Sequence, residues 1–184
     1  MFRFEKTRLE GVYVIDTQIK SDERGFLSRL YCKEEFKKIG FEKEFVQENI
    51  TNTVKKGSFR GFHFQIPPFS ESKLIRCIRG RVLDIIIDIR KASPTFLHSI
   101  TVNLSSDKLN MVYAPEGTAH GFQTLEDNCI MLYLHTNYYH PDYEMGINVY
   151  DSRISIELPL KISSISEKDR NLALLNSNFE GLIV

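Results

Sequence analysis

The stretch Phe59-Arg60-Gly61-Phe62-His63-Phe64-Gln65 sets a guanidinium and an imidazole three residues apart in an otherwise apolar run. Taking such groups out of water is costly unless partners compensate. A guanidinium offers a planar fork of donors to an anion, and an imidazole exchanges protons near neutral pH. The pair therefore points to a pocket that holds an anion beside a proton-transfer group. In a flat strand Arg60 and His63 would face opposite sides, because side chains alternate. Both reach one pocket only if the strand bulges or twists sharply, and Gly61 is the natural place for that.

The elements that must carry these residues are mostly strands. Gly11 to Ile15 is short and β-branched. Ile75 to Ile78 and Arg81 to Ile89 are rich in Ile and Val, and Arg79-Gly80-Arg81 between them reads as a tight turn. Ser99 to Leu104 alternates Ile100, Val102 and Leu104 with polar residues, as a half-buried strand does. Met111 to Tyr113 and Ile130 to His135 are further strands. Helical signal is confined to Lys33 to Gly40, with Gly40 as its stop, and to a short helix capped by Ser166 with Arg170 to Leu175 behind it. Many short strands and no linker predict a single all-β domain over 1–184, a sandwich or jelly-roll barrel with a few short helices.

The 184 residues carry 24 basic and 24 acidic side chains. That balance argues against nucleic acid as a partner. Cys32, Cys77 and Cys129 are scattered, with no CxxC pair, so neither a zinc knuckle nor a disulfide framework is expected. Cys77 and Cys129 sit in apolar runs and read as buried thiols. Charges interrupt the N-terminus where a signal peptide needs an apolar core, and no apolar run has the length of a membrane span. The expectation is a cytoplasmic protein without membrane contact.

Two segments resemble the halves of a cupin barrel: Gly57 followed by His63-Phe64-Gln65, and Pro115-Glu116-Gly117-Thr118-Ala119-His120. Metal cupins would have a second histidine where Gln65 stands, and Glu71 arrives late for a ligand. The resemblance thus implies poor metal ligation, and neither metal nor cofactor is expected. Within that fold, the chain resembles the dTDP-4-dehydrorhamnose 3,5-epimerases from about Gly11 to Asp169. The blocks that carry the likeness are Asp22-Glu23-Arg24-Gly25-Phe26, Phe45-Val46-Gln47-Glu48-Asn49, the Phe59–Gln65 stretch and Lys73-Leu74-Ile75-Arg76. They continue with Asp88 to Phe96, Pro115 to Phe122, and Tyr133 with Asn137-Tyr138-Tyr139.

The reaction that this resemblance implies is proton exchange at the carbons flanking a sugar 4-ketone. A base removes a carbon-bound proton, a donor holds the enolate, and an acid returns a proton to the opposite face. His63 resembles the base, and Asp169 the carboxylate that orients it. Tyr133 resembles the acid; it shares strand parity with Met131 and His135, so all three should face one side. Lys73 resembles the group that steadies enolate charge, with His120 near the same oxygen or supporting His63. Arg24 and Arg60 resemble diphosphate ligands, which suits a bidentate guanidinium. Gln47 and Asn49, on one strand face, match contacts to the nucleoside end, with Glu48 between them. Phe26 and Tyr139 would stack on a base, and Glu144 and Lys168 match the remaining substrate contacts. Each residue also has a plainer reading: a core histidine, a rim tyrosine, a surface lysine, a polar turn at Arg24.

The chain departs from the family pattern in places. Arg29 stands where an acidic residue is usual, Leu134 follows the donor tyrosine in place of lysine, and Val149 and Leu158 occupy the places of tryptophans. The resemblance implies a homodimer acting on a dTDP-4-keto-6-deoxyhexose, with N-terminal strands exchanged between sheets as one arrangement. A single-centre epimerase, a 3,4-ketoisomerase and a non-catalytic sugar-nucleotide-binding cupin remain alternatives.

Overall fold

The computed structural model describes residues 1–184. In chain order the strands are β1 (Phe2–Lys6), β2 (Tyr13–Thr17), β3 (Ile19–Asp22), β4 (Gly25–Ser28), β5 (Gln47–Thr53), β6 (Ser58–Gln65) and β7 (Lys73–Arg79). They continue with β8 (Arg81–Asp88), β9 (Ser99–Ser105), β10 (Met111–Ala114), β11 (Thr118–Thr124), β12 (Cys129–His135), β13 (Glu144–Gly146) and β14 (Ser164–Ile165). Two four-residue helices, α1 (Lys33–Phe36) and α2 (Glu167–Arg170), interrupt them. No helix is long and apolar enough to cross a membrane.

Two sheets face each other. The first runs β1-β2-β10-β7-β12-β5 and the second β13-β6-β11-β8-β9, with β14 added parallel to β6. The tight turn at Arg79-Gly80-Arg81 is present, with Gly80 at φ 79°. It makes no hairpin: β7 pairs with β10 and β12, whereas β8 pairs with β9 and β11, so the turn is the corner where the chain changes sheets. The corner is tight because a Cβ on Gly80 would lie 2.8 Å from Cys129 Sγ.

Three apolar clusters hold the layers. Ile75, Val82, Ile86, Val112, Phe122 and Met131 meet between the sheets. Phe59, Phe62, Ile85 and Ile87 cover the outer side of the second sheet, under Ile147, Ile154, Leu175 and Phe179 of the C-terminal segment. Phe36 and Phe41, around α1, pack on Leu74, Met111 and Leu134 outside the first sheet. β8 is therefore buried on both faces, which explains its unbroken Ile85-Ile86-Ile87. Cys77 and Cys129 are buried free thiols, and burial pushes Cys77 up to about 12.

The helical expectations hold in part. Lys33 to Gly40 forms α1 and a 3-10 turn that ends on Gly40 in the left-handed region. Ser166 caps α2, but the helix stops at Arg170. Beyond it Leu175 packs into the outer cluster, so tertiary burial replaces helix propagation.

Candidate active site

Alternation breaks in β6 as the Arg60–His63 spacing requires. Phe59 and Phe62 both join the outer cluster, with ring centroids 5.2 Å apart, whereas Arg60 and His63 both line the cavity between the sheets. The break sits at Gly61, whose φ is +128°. Opposite it, the β6–β11 register shifts between His120 and Phe122, and His120 pairs directly with His63.

The cavity has a volume of about 230 Å³. His63 reaches it from the second sheet. Its Nε2 donates to Asp169 Oδ1 at 2.8 Å, which leaves Nδ1 as the ring's free acceptor. Asp169 is held in turn: its Oδ2 accepts from the Gly61 N–H at 3.2 Å, and its own N–H donates to Ser166 Oγ at 3.0 Å. Burial raises the Asp169 carboxyl, but the hydrogen bonds it accepts, from His63 first and then from the Gly61 N–H, help bring it below its ordinary value. The parallel pairing of β14 with β6 is what brings α2, and Asp169, behind His63.

Tyr133 and Lys73 reach the cavity from the first sheet, on β12 and β7. The Tyr133 hydroxyl lies 3.3 Å from Thr51 Oγ1, and burial drives its phenol well above the ordinary value. A phenol so placed stays protonated at neutral pH and so can donate a proton. Lys73 Nζ donates to the His63 carbonyl at 3.2 Å and pairs with Glu71 Oε1 at 3.1 Å. His120 Nε2 donates to the fully buried Asp84, 2.6 Å away.

Of the expected substrate contacts, Gln47, Asn49, Arg60, Tyr139 and Glu144 line the same cavity. Arg60 Nε donates to Thr53 Oγ1 at 2.9 Å. At the rim, Glu144 Oε2 accepts from Tyr139 (2.7 Å) and from Lys168 (2.6 Å). Burial raises the Glu144 carboxyl, but these two bonds bring it below its ordinary value. Three expected residues are not gathered here. Glu48 lies between Gln47 and Asn49 and so points to the opposite face of β5. Arg24 and Phe26 sit on the exposed β3–β4 hairpin, away from the cavity, with Arg24 paired to Asp22.

Thr51, Gln65, Glu71 and His135 line the cavity without having been expected as substrate or proton-transfer groups. Thr51 follows Gln47 and Asn49 at period two, a signal that sequence alone carries. Gln65 stands in a metal-ligand position but serves as a clamp. Its Nε2 donates to the Phe69 and Tyr138 carbonyls, and its Oε1 accepts from the His140 N–H.

A family model described as dTDP-4-dehydrorhamnose 3,5-epimerase matches residues 6–177. The dTDP-4-dehydrorhamnose 3,5-epimerase of Methanothermobacter thermautotrophicus is 41% identical over 180 residues, covering 96% of each chain. The epimerase of that name from Bacillus anthracis, solved with TDP and PPi bound, superposes with a TM-score of 0.92 at 34% identity, over 95% of this chain and 100% of its own. The dTDP-6-deoxy-D-glucose-3,5-epimerase of Legionella pneumophila, solved with dTDP-4-keto-L-rhamnose, gives 0.92 at 30% identity over the whole of both chains. The two sheets and short helices are thus the cupin-type jelly roll of these proteins.

Proposed function

Because the chain belongs to the dTDP-4-dehydrorhamnose 3,5-epimerase family, and is a carbohydrate epimerase of that activity, we propose that His63, Asp169, Lys73 and Tyr133 carry out its proton transfers. The observation that supports this is the opposition of an acceptor and a donor across one cavity. The free Nδ1 of His63 enters from one sheet, and the protonated phenol of Tyr133 from the other. A sugar ring between them has one face to each. His63 takes the proton next to the C4 ketone, and the electron pair moves into the C–O bond as an enolate. The Lys73 ammonium, with His120, stabilises that oxygen. Tyr133 then protonates the carbon from the other face, and solvent restores both groups. Asp169 keeps the imidazole in the tautomer whose Nδ1 is free and stabilises it when charged.

The substrate is a dTDP-4-keto-6-deoxyhexose, inverted at C3 and C5. Arg60 binds the diphosphate, and Gln47, Asn49, Tyr139, Glu144 and Lys168 surround the remainder. The protein works as a single-domain homodimer in the cytoplasm, where its three free thiols stay reduced. Two observations support the dimer. Across β5, β12 and β7 the outer row Ile50–Leu132–Arg76 has Ile50 64% exposed, while the buried Arg76 Nε has no hydrogen-bond partner. The β3–β4 hairpin also carries Phe26 and Leu27 at 63% and 72% exposed. A second subunit that covers this row and receives the hairpin would return Arg24 and Phe26 to a diphosphate and base subsite.

Incubation with dTDP-4-keto-6-deoxyglucose in deuterated water tests the reading. Deuterium enters at C3 and C5 with inversion, and His63→Ala slows this by at least about 10³-fold. Label at one carbon alone would make it a single-centre epimerase. No label, with His63→Ala indistinguishable from wild type, would refute the assignment.

A further inference from the structure

His135 lies outside the proton-transfer set, yet its ring is on the cavity floor. In register it sits between Lys73 on β7 and Gln47 on β5, and it is 8% exposed. Its Nδ1 is 2.9 Å from Glu71 Oε2, and its Nε2 is 3.3 Å from Asn49 Nδ2. The other Glu71 oxygen pairs with Lys73 Nζ at 3.1 Å, and Lys73 donates to the His63 carbonyl at 3.2 Å. A continuous polar chain therefore runs from the substrate-facing amide of Asn49, through one imidazole and one carboxylate, to the ammonium beside the base.

Resting on the epimerase reading above, we propose that His135 is a positioning residue for this reaction, which fixes Lys73 through Glu71 and Asn49 through its own Nε2. The chemistry of the groups sets the direction of each bond. A carboxylate only accepts, so Nδ1 of His135 carries a proton, and in the neutral ring Nε2 is then an acceptor. Asn49 must turn its N–H toward the ring, which leaves its carbonyl oxygen free for a hydroxyl or N–H of the substrate. Lys73 has three donors; Glu71 and the His63 carbonyl take two, and the third remains for the enolate oxygen.

Glu71 needs both neighbours. Burial raises its carboxyl, but the Lys73 charge and the His135 hydrogen bond outweigh it, so the group is held below its ordinary value. Without His135 one carboxylate oxygen would be left buried and unpaired, and the carboxylate would no longer be tied on the side away from Lys73.

Two isosteric substitutions separate the arms. His135→Asn keeps a donor near the Nδ1 position and has nothing at Nε2. It should raise KM about tenfold, the size of one buried hydrogen bond, with kcat within about threefold of wild type. His135→Gln keeps a polar end near Nε2 and lacks the Nδ1 donor. It should lower kcat about tenfold with KM within about threefold. The wild-type ring gives a second readout that needs no variant: imidazole 15N shifts should report a protonated Nδ1 and an unprotonated Nε2. The opposite tautomer, or two variants that each change both kcat and KM or change neither, would overturn the proposal while leaving the epimerase reading intact. A wild-type protein that shows no solvent exchange would overturn both.

Discussion

Gly61 and Gly121 meet back to back across β6 and β11, with no room for a Cβ on either. A Cβ on Gly61 would lie 2.5 Å from Gly121 Cα and 2.9 Å from the His120 carbonyl oxygen, and one on Gly121 would lie 2.8 Å from the Arg60 carbonyl oxygen. All of these are backbone atoms, so neither strand can give way cheaply. The contact coincides with the register shift that turns Arg60 and His63 to the same cavity and sets His63 opposite His120.

Gly61→Ala should therefore destabilise the fold by about 2–4 kcal/mol, through overpacking together with a φ that only glycine adopts readily. Gly25 is the control. Its φ of +129° is nearly the same, but nothing lies within 4 Å of its would-be Cβ. Gly25→Ala should cost only about 1–2 kcal/mol, from the backbone alone. Denaturant midpoints measure both, and equal losses would show that the close approach contributes nothing.

Tyr133→Phe should separate proton abstraction from inversion. The phenyl ring fills the same buried space, and the hydroxyl lost has one partner, Thr51. His63 can still remove the proton and return one from the same face. Solvent deuterium should thus appear in substrate of unchanged configuration, with epimer formation down at least about 10²-fold. NMR of the recovered sugar nucleotide checks this. Undiminished inversion would remove Tyr133 from the acid role.

Asp88 should make stability depend on acid pH. Burial alone would raise its carboxyl, but bonds from Arg90, Ser93 and Thr95 hold it down to about 2, against an ordinary 3.8. A depressed carboxyl stabilises the fold fully above the unfolded value and loses that contribution as pH falls through the folded one. Its contribution at neutral pH is on the order of 2 kcal/mol, lost between roughly pH 4 and pH 2. Urea unfolding of Asp88→Asn should show a gap to wild type at pH 7 that shrinks toward pH 2.5. A gap independent of pH would mean that the ionised carboxylate is not its source.

Hairpin exchange between subunits, as proposed above, predicts complementation. Arg24→Ala should raise KM about tenfold by removing a diphosphate contact. In a mixed dimer with His63→Ala, the Arg24→Ala subunit supplies an intact pocket and its partner supplies an intact hairpin. One of the two sites in such a dimer is then complete, so co-expressed subunits should recover about a quarter of wild-type activity. No recovery beyond the sum of the parents would place the hairpin against its own subunit.

Local pattern was enough for much of this protein. The period-two strands, the glycine stop after Lys33–Ile39, the Ser166 cap and the ordered motif blocks are short-range features; they sufficed for an all-β jelly roll and for proposing His63, Lys73, Tyr133 and Asp169 as a chemical set. Alternation even implied a break between Arg60 and His63, because the two side chains share one destination, and Gly61 was the natural place for it.

What tertiary structure alone decided is partnership across long separations. The Ile-rich strands on either side of Gly80 look like a hairpin in sequence, yet they belong to different sheets, because each finds its hydrogen bonds elsewhere. Gln65 looks like a vacant ligand position, but it ties together a loop about 70 residues away, and His135 meets Glu71 across 64 residues. Arg24 and Phe26, so plain in the motif, stand outside the cavity of their own chain. Sequence periodicity reports which face a side chain takes, since that depends on its neighbours. Which group waits on that face depends on the closure of the whole sandwich.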